Sequence, residues 1–498
     1  MLYIIVFSLL KGCLSTNMSQ GLTYALSAFK AYDIRGQVPK ELDEKVAQRL
    51  GMAFAQVTGA KRVAVGYDIR LSSSSLAAAV CRGLNAWGVE VTNIGLCGTE
   101  EIYYACGALG FDGGLMITAS HNPKEYNGIK MVLGGARPLC QENGLAEIRR
   151  LVTQDWDFTE EIKGLSLTTP GHTVTKEIHN SFIDFVLNLV NLETIKKANL
   201  SVVVNCGNGG AGVIVKRLAE KLPLKLHIIN GEPDGHFPNG IPNPLLPENR
   251  QSTAEAVKKY KANLGVAWDG DFDRCFFFDE KGQFIEGYYL VGLFADRFLQ
   301  LNPGATIIHD PRLYWNTQEI ILQNGGRPIM SKTGHAFIKQ AMRKYDSVYG
   351  GEMSAHQYFK DFFYCDGGIL PWLMLMEYMG QRSQTLSQLI GDRMDRYPVS
   401  GEINFHINCQ PEVIFAELKE RLATDYGPAL AEDHLDGLSL EYGKFRLNLR
   451  ASNTEPLLRL NVETRADKGL VNIISKLVSD VVAEVCNKNY GHYVDLGS

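Results

Sequence analysis

The chain has 498 residues, too many for one hydrophobic core, and the usual domain size points to about three or four domains. Apolar residues make up 45% and charged residues 21%, with a net charge of −5. That balance excludes a disordered chain and gives no support for a general nucleic-acid surface. Ten cysteines lack CxxC spacing, so reduced cytosolic thiols are expected rather than a disulfide framework or a zinc module.

Residues 1–17 stand apart. Leu2 to Leu10 is nearly all apolar but far shorter than the roughly 20 residues of a membrane span. Lys11 follows the apolar run, whereas a secretory signal carries its positive charge before it. Lysine also fits poorly in Leu10-Lys11-Gly12-Cys13 as a lipoprotein cleavage site. Met18 opens an ordinary sequence, so residues 1–17 read as an extension from an upstream start codon. The chain is expected to be cytoplasmic, with no membrane and no nucleic-acid partner.

From there a rhythm repeats three times: an apolar strand, a helical stretch, then a second strand that ends in chemistry. The first set is Arg62 to Asp68, followed by Gly114-Leu115-Met116-Ile117-Thr118-Ala119-Ser120-His121-Asn122-Pro123. That second run presents a serine oxygen at a sheet rim. Adjacent strand side chains point to opposite faces, which argues against a Ser120–His121 pair. The G-x-S-x-G elbow is absent, so a plain loop serine and a functional one are evenly balanced here. Asn127-Gly128 predicts a hairpin turn that returns Lys130 toward Ser120 as a cation or proton carrier.

The second set is Leu200 to Asn205 and the strand running into Trp268-Asp269-Gly270-Asp271-Phe272-Asp273-Arg274. Between them, Gly207-Asn208-Gly209-Gly210-Ala211-Gly212 matches G-x-G-x-x-G, with Glu232 further on. Alone, it supports an NAD-dependent sugar-phosphate dehydrogenase; the plain alternative is a tight strand-to-helix turn. Asp269, Asp271 and Asp273 on alternate positions repel unless a cation gathers them, and oxygen ligands select magnesium or calcium. Glu280 completes an EF-hand spacing, but Arg274 stands where that loop needs glycine, and a strand follows. The EF-hand reading is rejected.

The third set is Ala305 to Asp310 and Ser347 to Glu352. Gly351-Glu352-Met353-Ser354-Ala355-His356 offers a carboxylate and a hydroxyl able to hold two sugar hydroxyls, and Lys332-Thr333-Gly334-His335 adds a basic, glycine-opened loop. The last hundred or so residues change pattern. Gly401 to Ile407 and Phe445 to Arg450 alternate in period two, which predicts half-exposed strands of a smaller domain. Arg450-Ala451-Ser452-Asn453-Thr454 can donate to a phosphate, or cap a turn.

The fold class expected is α/β: three similar α/β domains with mixed sheets, plus a smaller C-terminal α+β domain. Boundaries are placed at 18–162, 163–282, 283–396 and 397–498. Functional groups should lie at the carboxyl ends of strands.

The four ordered segments, Thr118–Pro123, Asp269–Arg274, Gly351–His356 and Arg450 with Ser452-Asn453-Thr454, resemble the signatures of the α-D-phosphohexomutase family. Ala31-Tyr32-Asp33-Ile34-Arg35-Gly36 resembles the family's opening, and Ala355 stands where many relatives have glycine. The resemblance covers nearly everything from about Tyr24 and is strongest to bacterial members that act on mannose phosphates. It implies a heart-shaped, four-domain enzyme with a central cleft, acting on hexose phosphates as a monomer or weak homodimer. Ser120 would carry the phosphate, and Asp269, Asp271 and Asp273 would hold Mg²⁺ against it. Arg35 and Arg274 would lie close by, with Lys130 or His121 moving the proton. Glu352 and Ser354 would bind sugar hydroxyls, with Tyr32, Arg312, Lys332, His335 and His356 nearby. Arg450, Ser452, Asn453 and Thr454 would clamp the remote phosphate. Mannose and glucose differ only at C2, so a phosphoglucomutase or a dual-specificity enzyme is the alternative within the family.

Overall fold

The apolar strand runs become the centres of separate sheets, four in all among the described residues. The computed structural model describes residues 21–158, 162–163, 170–222, 224–451 and 457–490.

In the first sheet, Arg62–Tyr67 lies parallel to Glu90–Leu96 on one side and to Gly113–Ile117 on the other. Tyr126–Leu133 then returns antiparallel to Gly113–Ile117, and Ile34–Gln37 pairs with it at the edge. Thr173–Thr175 adds to the far edge, parallel to Glu90–Leu96. The chain therefore contributes to this sheet beyond residue 162, where the boundary was placed. One face is covered by Glu44–Thr58, which begins on Asp43 accepting from the Val46 amide at 2.9 Å and ends at left-handed Gly59. Its partner helix Ser73–Ala86 approaches closely because both carry glycine at the crossing: a Cβ on Gly83 would meet the Gln48 carbonyl at 2.0 Å.

The second and third sheets repeat this plan. Leu264–Trp268 runs parallel to Ser201–Asn205, which runs parallel to Lys225–Ile229, while Cys275–Phe278 returns antiparallel. Thr306–His309 runs parallel to Arg327–Met330 and to Tyr349–Gly351, and Gln357–Phe359 returns antiparallel. In all three, the motif sits between the last parallel strand and its antiparallel return strand. The three functional loops are thus topological equivalents, at the carboxyl ends of their strands.

The fourth sheet is wholly antiparallel, in the order Val399–His406, Leu457–Thr464, Phe445–Ala451, Leu438–Glu441, Ala431–Asp433. Leu447, Leu449, Leu458 and Leu460 share a core with Ile414, Leu418 and Val478 from the two helices Pro411–Tyr426 and Lys468–Tyr490. Phe445–Ala451 alternates as predicted but is not half-exposed: every residue except Ala451 is buried. Its polar face is covered by the third unit, where Arg446 donates to the carbonyls of Arg312 at 2.6 Å and Pro311 at 3.0 Å. Among the described residues no helix is long and apolar enough to cross a membrane.

One helical turn joins the first three units. A Cβ on Gly98 would strike the Phe272 ring at 2.2 Å, so only glycine lets the aspartate loop pack there. The Thr99 hydroxyl donates to Asp271 Oδ2 at 2.7 Å. Glu100 Oε2 accepts from the Gly368 and Ile369 amides at 3.1 and 3.4 Å, capping a third-unit helix from outside. Glu101 Oε2 caps its own helix at Gly98, and its Oε1 meets His179 Nδ1 at 2.5 Å.

Burial alone would depress the His179 imidazole, but the bond to Glu101 and its charge raise the group above its ordinary value. A raised native value favours the imidazolium in the folded state. The pair's contribution is then complete below the unfolded value of about 6.5 and is lost as pH climbs through the native value. The stability gap between the wild type and His179→Gln, measured by urea unfolding, is expected to be largest near about pH 5.5 and to narrow by about pH 8.5. A gap that does not change with pH would contradict this assignment.

Candidate active site

The strand Gly113–Ile117 stops before Ser120, and the serine takes a left-handed backbone, φ 51°. Such a conformation costs a non-glycine residue on the order of 1–3 kcal/mol and persists only when its surroundings impose it. Here they do. Thr118 Oγ1 accepts from the Ser120 amide at 2.9 Å and donates to Asp68 Oδ2 at 2.7 Å. Arg70, buried beside Asp68, donates to the carbonyls of Ser120, Asn122, Pro123 and Tyr126 at 2.6–2.9 Å. Neither Asp68 nor Arg70 was singled out from the sequence, although Tyr67-Asp68 ends its apolar strand as the other motif strands end theirs.

Two local expectations are corrected. Because Ser120 and His121 lie beyond the strand, their side chains do not diverge: Ser120 Oγ is 3.0 Å from His121 Nδ1. Asn127-Gly128 is not the hairpin turn but part of Tyr126–Leu133, where a Cβ on Gly128 would meet the Ile34 carbonyl at 2.3 Å. Lys130 does return to the site, opposite Met116 in the register.

Against this loop lies the aspartate loop. Ser120 Oγ donates to Asp269 Oδ2 at 2.6 Å, and Arg274 Nε and Nη2 hold the same oxygen at 2.9 and 2.6 Å. Arg274 Nη2 also reaches Ser120 Oγ at 3.3 Å and contacts His121 Nδ1. Lys130 Nζ bridges Asp271 Oδ2 at 2.7 Å and Asp273 Oδ2 at 2.6 Å. The three carboxylates are at most 2% exposed. Oxygens of all three lie within 4.8 Å of one another, and Oδ1 of Asp271 and Asp273 are buried without hydrogen-bond partners. Orphaned carboxylate oxygens converging in a buried loop fit a hard divalent cation.

The electrostatics are those of crowded charge. Burial would raise Asp271, but Lys130 holds it far below the usual carboxylate range. Burial and the Asp271 charge push Asp273 up to about 6. Burial would depress Lys130, yet the two carboxylates keep it firmly protonated. Burial together with Arg274 and Arg35 drives His121 well below its ordinary value, leaving a neutral ring.

The glycine run is a strand-to-helix turn built for this loop. Cβ atoms on Gly209 and Gly210 would meet the Gly270 carbonyl at 2.9 Å and the Phe272 ring at 3.0 Å, and one on Gly212 would strike the Gly231 carbonyl at 2.1 Å. Its closeness is spent on protein, which removes the argument for a dinucleotide.

The third unit supplies the opposite wall. Glu352 accepts from the Gly334 amide at 2.9 Å and the Tyr358 hydroxyl at 2.5 Å. Arg312 is paired with Asp310 at 2.7 Å and lies 3.4 Å from Ser354 Oγ. Ala355 is buried at φ 73°, the conformation that favours glycine. His356 links two loops: its Nδ1 is 3.2 Å from Ser354 Oγ and its Nε2 is 3.8 Å from Asp273 Oδ1 and 3.9 Å from Asp366 Oδ2. Burial lowers it to about 4, against the pull of Asp273 and Asp366. The sequence did not mark Asp366, which is paired with buried Lys339 at 2.6 Å. His335 stands edge-on to Tyr32 with ring centroids 4.6 Å apart, and both its ring nitrogens are buried without hydrogen-bond partners. Arg35 bonds Asp33 and Asn122 at 2.8 Å each. Lys332 is exposed and lies 5.7 Å above the Phe337 ring.

The fourth unit brings Arg450, buried, to within 3.3 Å of Glu402 Oε2. Ser452, Asn453 and Thr454 lie outside the described residues.

The chain matches four family models described as phosphoglucomutase/phosphomannomutase: alpha/beta/alpha domains I, II and III over residues 26–156, 180–282 and 286–397, and the C-terminal domain over 408–479. It is 49% identical over 458 residues to the phosphohexose mutases of Xanthomonas campestris, covering 92% of this chain and 99% of that protein. It is also 49% identical over 453 residues to a phosphomannomutase of Escherichia coli, covering 90% and 97%. Among solved structures, a phosphoglucomutase/phosphomannomutase family protein from Burkholderia thailandensis superposes with a TM-score of 0.79 at 30% identity, over 94% of this chain and 99% of that one. With its four units matched in order and nearly the whole length of its relatives spanned, the chain belongs to the phosphoglucomutase/phosphomannomutase (α-D-phosphohexomutase) family.

Proposed function

We propose that the chain interconverts mannose 6-phosphate and mannose 1-phosphate, with Ser120 as the phosphate carrier and a 1,6-bisphosphate as the intermediate. The observation that carries this reading is the 2.6 Å bond from Ser120 Oγ to Asp269, at the edge of the buried aspartate cluster. The curated relatives named phosphomannomutase support the choice of mannose.

Asp269, Asp271 and Asp273 would hold Mg²⁺, which would neutralise charge on a phosphoryl group at Ser120. The rest falls to the chain. A phosphate on serine carries about −1.5 to −2 charge, and Arg274, 3.3 Å from the serine oxygen, is placed to offset it. As the phosphoryl group leaves Ser120 Oγ, its P–O bond breaks while a new one forms to the sugar hydroxyl, roughly in line. The hydroxyl proton needs an acceptor. The departing serine oxygen in turn needs a donor. His121, 3.0 Å from the serine oxygen, and Lys130, held protonated beside the aspartates, are the candidates to move these protons. Each returns its proton to the same oxygen when the step runs backwards. Glu352 and Ser354 would orient the sugar, with Tyr32, Arg312, His335 and His356 around it. Arg450 with residues 452–454 would grip the phosphate that is not reacting. The bisphosphate then turns end for end and returns its other phosphate to Ser120. Sugar phosphates are too charged to cross a bilayer unaided, which fits a cytoplasmic site of action.

Ser120→Ala is expected to lose nearly all mutase turnover and the mass of one phosphate in intact-protein mass spectrometry. Near-normal activity in that variant would overturn the carrier role.

Magnesium is expected to raise the unfolding temperature of the wild type, since a cation bound only by the native state stabilises it. Asp271→Asn should lose most of that shift, whether or not the enzyme turns over. An equal shift in both proteins would remove the aspartates from the site.

Steady-state comparison should give a higher kcat/KM for mannose 1-phosphate than for glucose 1-phosphate. Equal values would move the reading to a dual-specificity phosphohexomutase, and NADH formation with either sugar phosphate would favour the dehydrogenase instead.

A further inference from the structure

Glu402 is aimed with some care. The strand Val399–His406 shifts register against Leu457–Thr464 between Val399 and Glu402, and Gly401 inside that irregularity has φ 71°. Bulges of this kind re-aim a side chain next to a site. The result places one carboxylate among three guanidiniums. Glu402 Oε2 is 3.3 Å from Arg450 Nη2 and 3.6 Å from Arg312 Nη1, and its Oε1 is 3.5 Å from Arg459 Nη1.

Arg450 and Arg459 face each other directly in the register of Phe445–Ala451 with Leu457–Thr464. Directly paired positions of two antiparallel strands lie roughly 5 Å apart, so both side chains can address one anion. None of the three contacts is a good bond. Charge-assisted N–H···O bonds settle at about 2.7–2.9 Å, and all three here are longer. Two carboxylate oxygens are shared among three guanidiniums, and the short bond of Arg312 goes to Asp310 at 2.7 Å instead. The Nε–H groups of Arg312 and Arg450 are moreover buried without hydrogen-bond partners. A phosphate has three terminal oxygens and a larger charge, and it suits such a set better.

Resting on the mutase reading above, we propose that Arg459 binds the substrate's remote phosphate together with Arg450 and Arg312, and that Glu402 holds these guanidiniums in place until the phosphate displaces it. The two anions cannot share the cluster, because their like charges would meet at close range. Glu402 must swing out when substrate arrives. It is the chain's own stand-in for the phosphate, and its departure is a cost that every binding event carries. Arg459 lies five residues beyond Thr454, where the recognised motif ends, and Glu402 lies nearly fifty residues before Arg450, so nothing in the motif pointed to either.

Titration calorimetry of the full-length protein with inorganic phosphate tests this without turnover. Glu402→Gln keeps the side-chain shape but removes the competing charge, and it is expected to tighten phosphate binding by about three-fold or more. Arg459→Met should weaken it by roughly ten-fold, the usual worth of one charge-assisted bond, and Arg459→Lys should restore part of the loss. In steady state, Arg459→Met should raise KM for mannose 1-phosphate by more than any fall in kcat. Unchanged phosphate affinity in Arg459→Met would remove Arg459 from the site. Weaker or unchanged binding in Glu402→Gln would make Glu402 a fixed positioning residue rather than a displaceable occupant. These affinities report on the cluster even if Ser120→Ala shows the mutase reading to be wrong, so the two failures are distinguishable.

Discussion

Everything in this molecule is arranged around the cost of burying three aspartates beside one serine oxygen. Taken from water without partners, each carboxylate would cost several kcal/mol, on the order of what a whole domain nets from folding. The chain meets that cost with two cations: Arg274, from the same loop, on Asp269, and Lys130, from the first unit, across Asp271 and Asp273. Lys130 belongs to the first unit and the aspartates to the second, so the same contacts that neutralise the site also dock two domains. Thr99 adds a hydroxyl to Asp271 from the helix whose next residue caps a third-unit helix. Active-site charge and interdomain packing are one system, and the glycines at 98, 209 and 210 are the clearances that let it close.

The repeated topology explains why the chemistry converges. An α/β unit that ends its parallel strands and then adds an antiparallel return strand leaves one loop exposed at the strand ends. Three such units each present that loop, and each fills it with different groups: a hydroxyl, a carboxylate cluster, and the carboxylate and hydroxyl of Glu352 and Ser354, proposed to hold the sugar. The fourth unit is antiparallel and brings Arg450 in on a strand instead. Its strand Phe445–Ala451 keeps the period-two alternation, but both faces are covered, one by its own helices and one by the third unit.

Much of this was legible in residue order. Apolar runs ending in Ser120, Asp269–Asp273 and Glu352 marked strands with polar ends, because apolar strand and polar terminus are adjacent in sequence. What the sequence concealed were contacts that depend on leaving regular structure. Alternation put Ser120 and His121 on opposite faces, yet a positive φ at Ser120 brings their side chains together. Asn127-Gly128 carried a turn signature, but the glycine is there for close approach of Ile34. Arg70, Asp68, Thr99 and Glu402 act through partners tens to hundreds of residues away, and no local pattern announces such a partner.

The two ends of the proposed substrate call for a different balance of positive charge. At the reacting end charge has to change during the reaction, so beside the one guanidinium of Arg274 a compact ammonium, and a divalent cation if the aspartates hold one, suit it: both are point charges without a fixed hydrogen-bonding plane. At the remote end the phosphate only has to be held, in either of two poses. Guanidiniums give planar, two-pronged grips that favour specific oxygen geometry, and a single one would favour one pose. Several arginines converging from two strands and a neighbouring unit offer alternative pairs of prongs to the same anion. A clamp that must accept both orientations of a bisphosphate is better built from overlapping partial grips than from one ideal one. On this view the loose 3.3–3.6 Å contacts around Glu402 are the resting form of a site designed to be approached in more than one way.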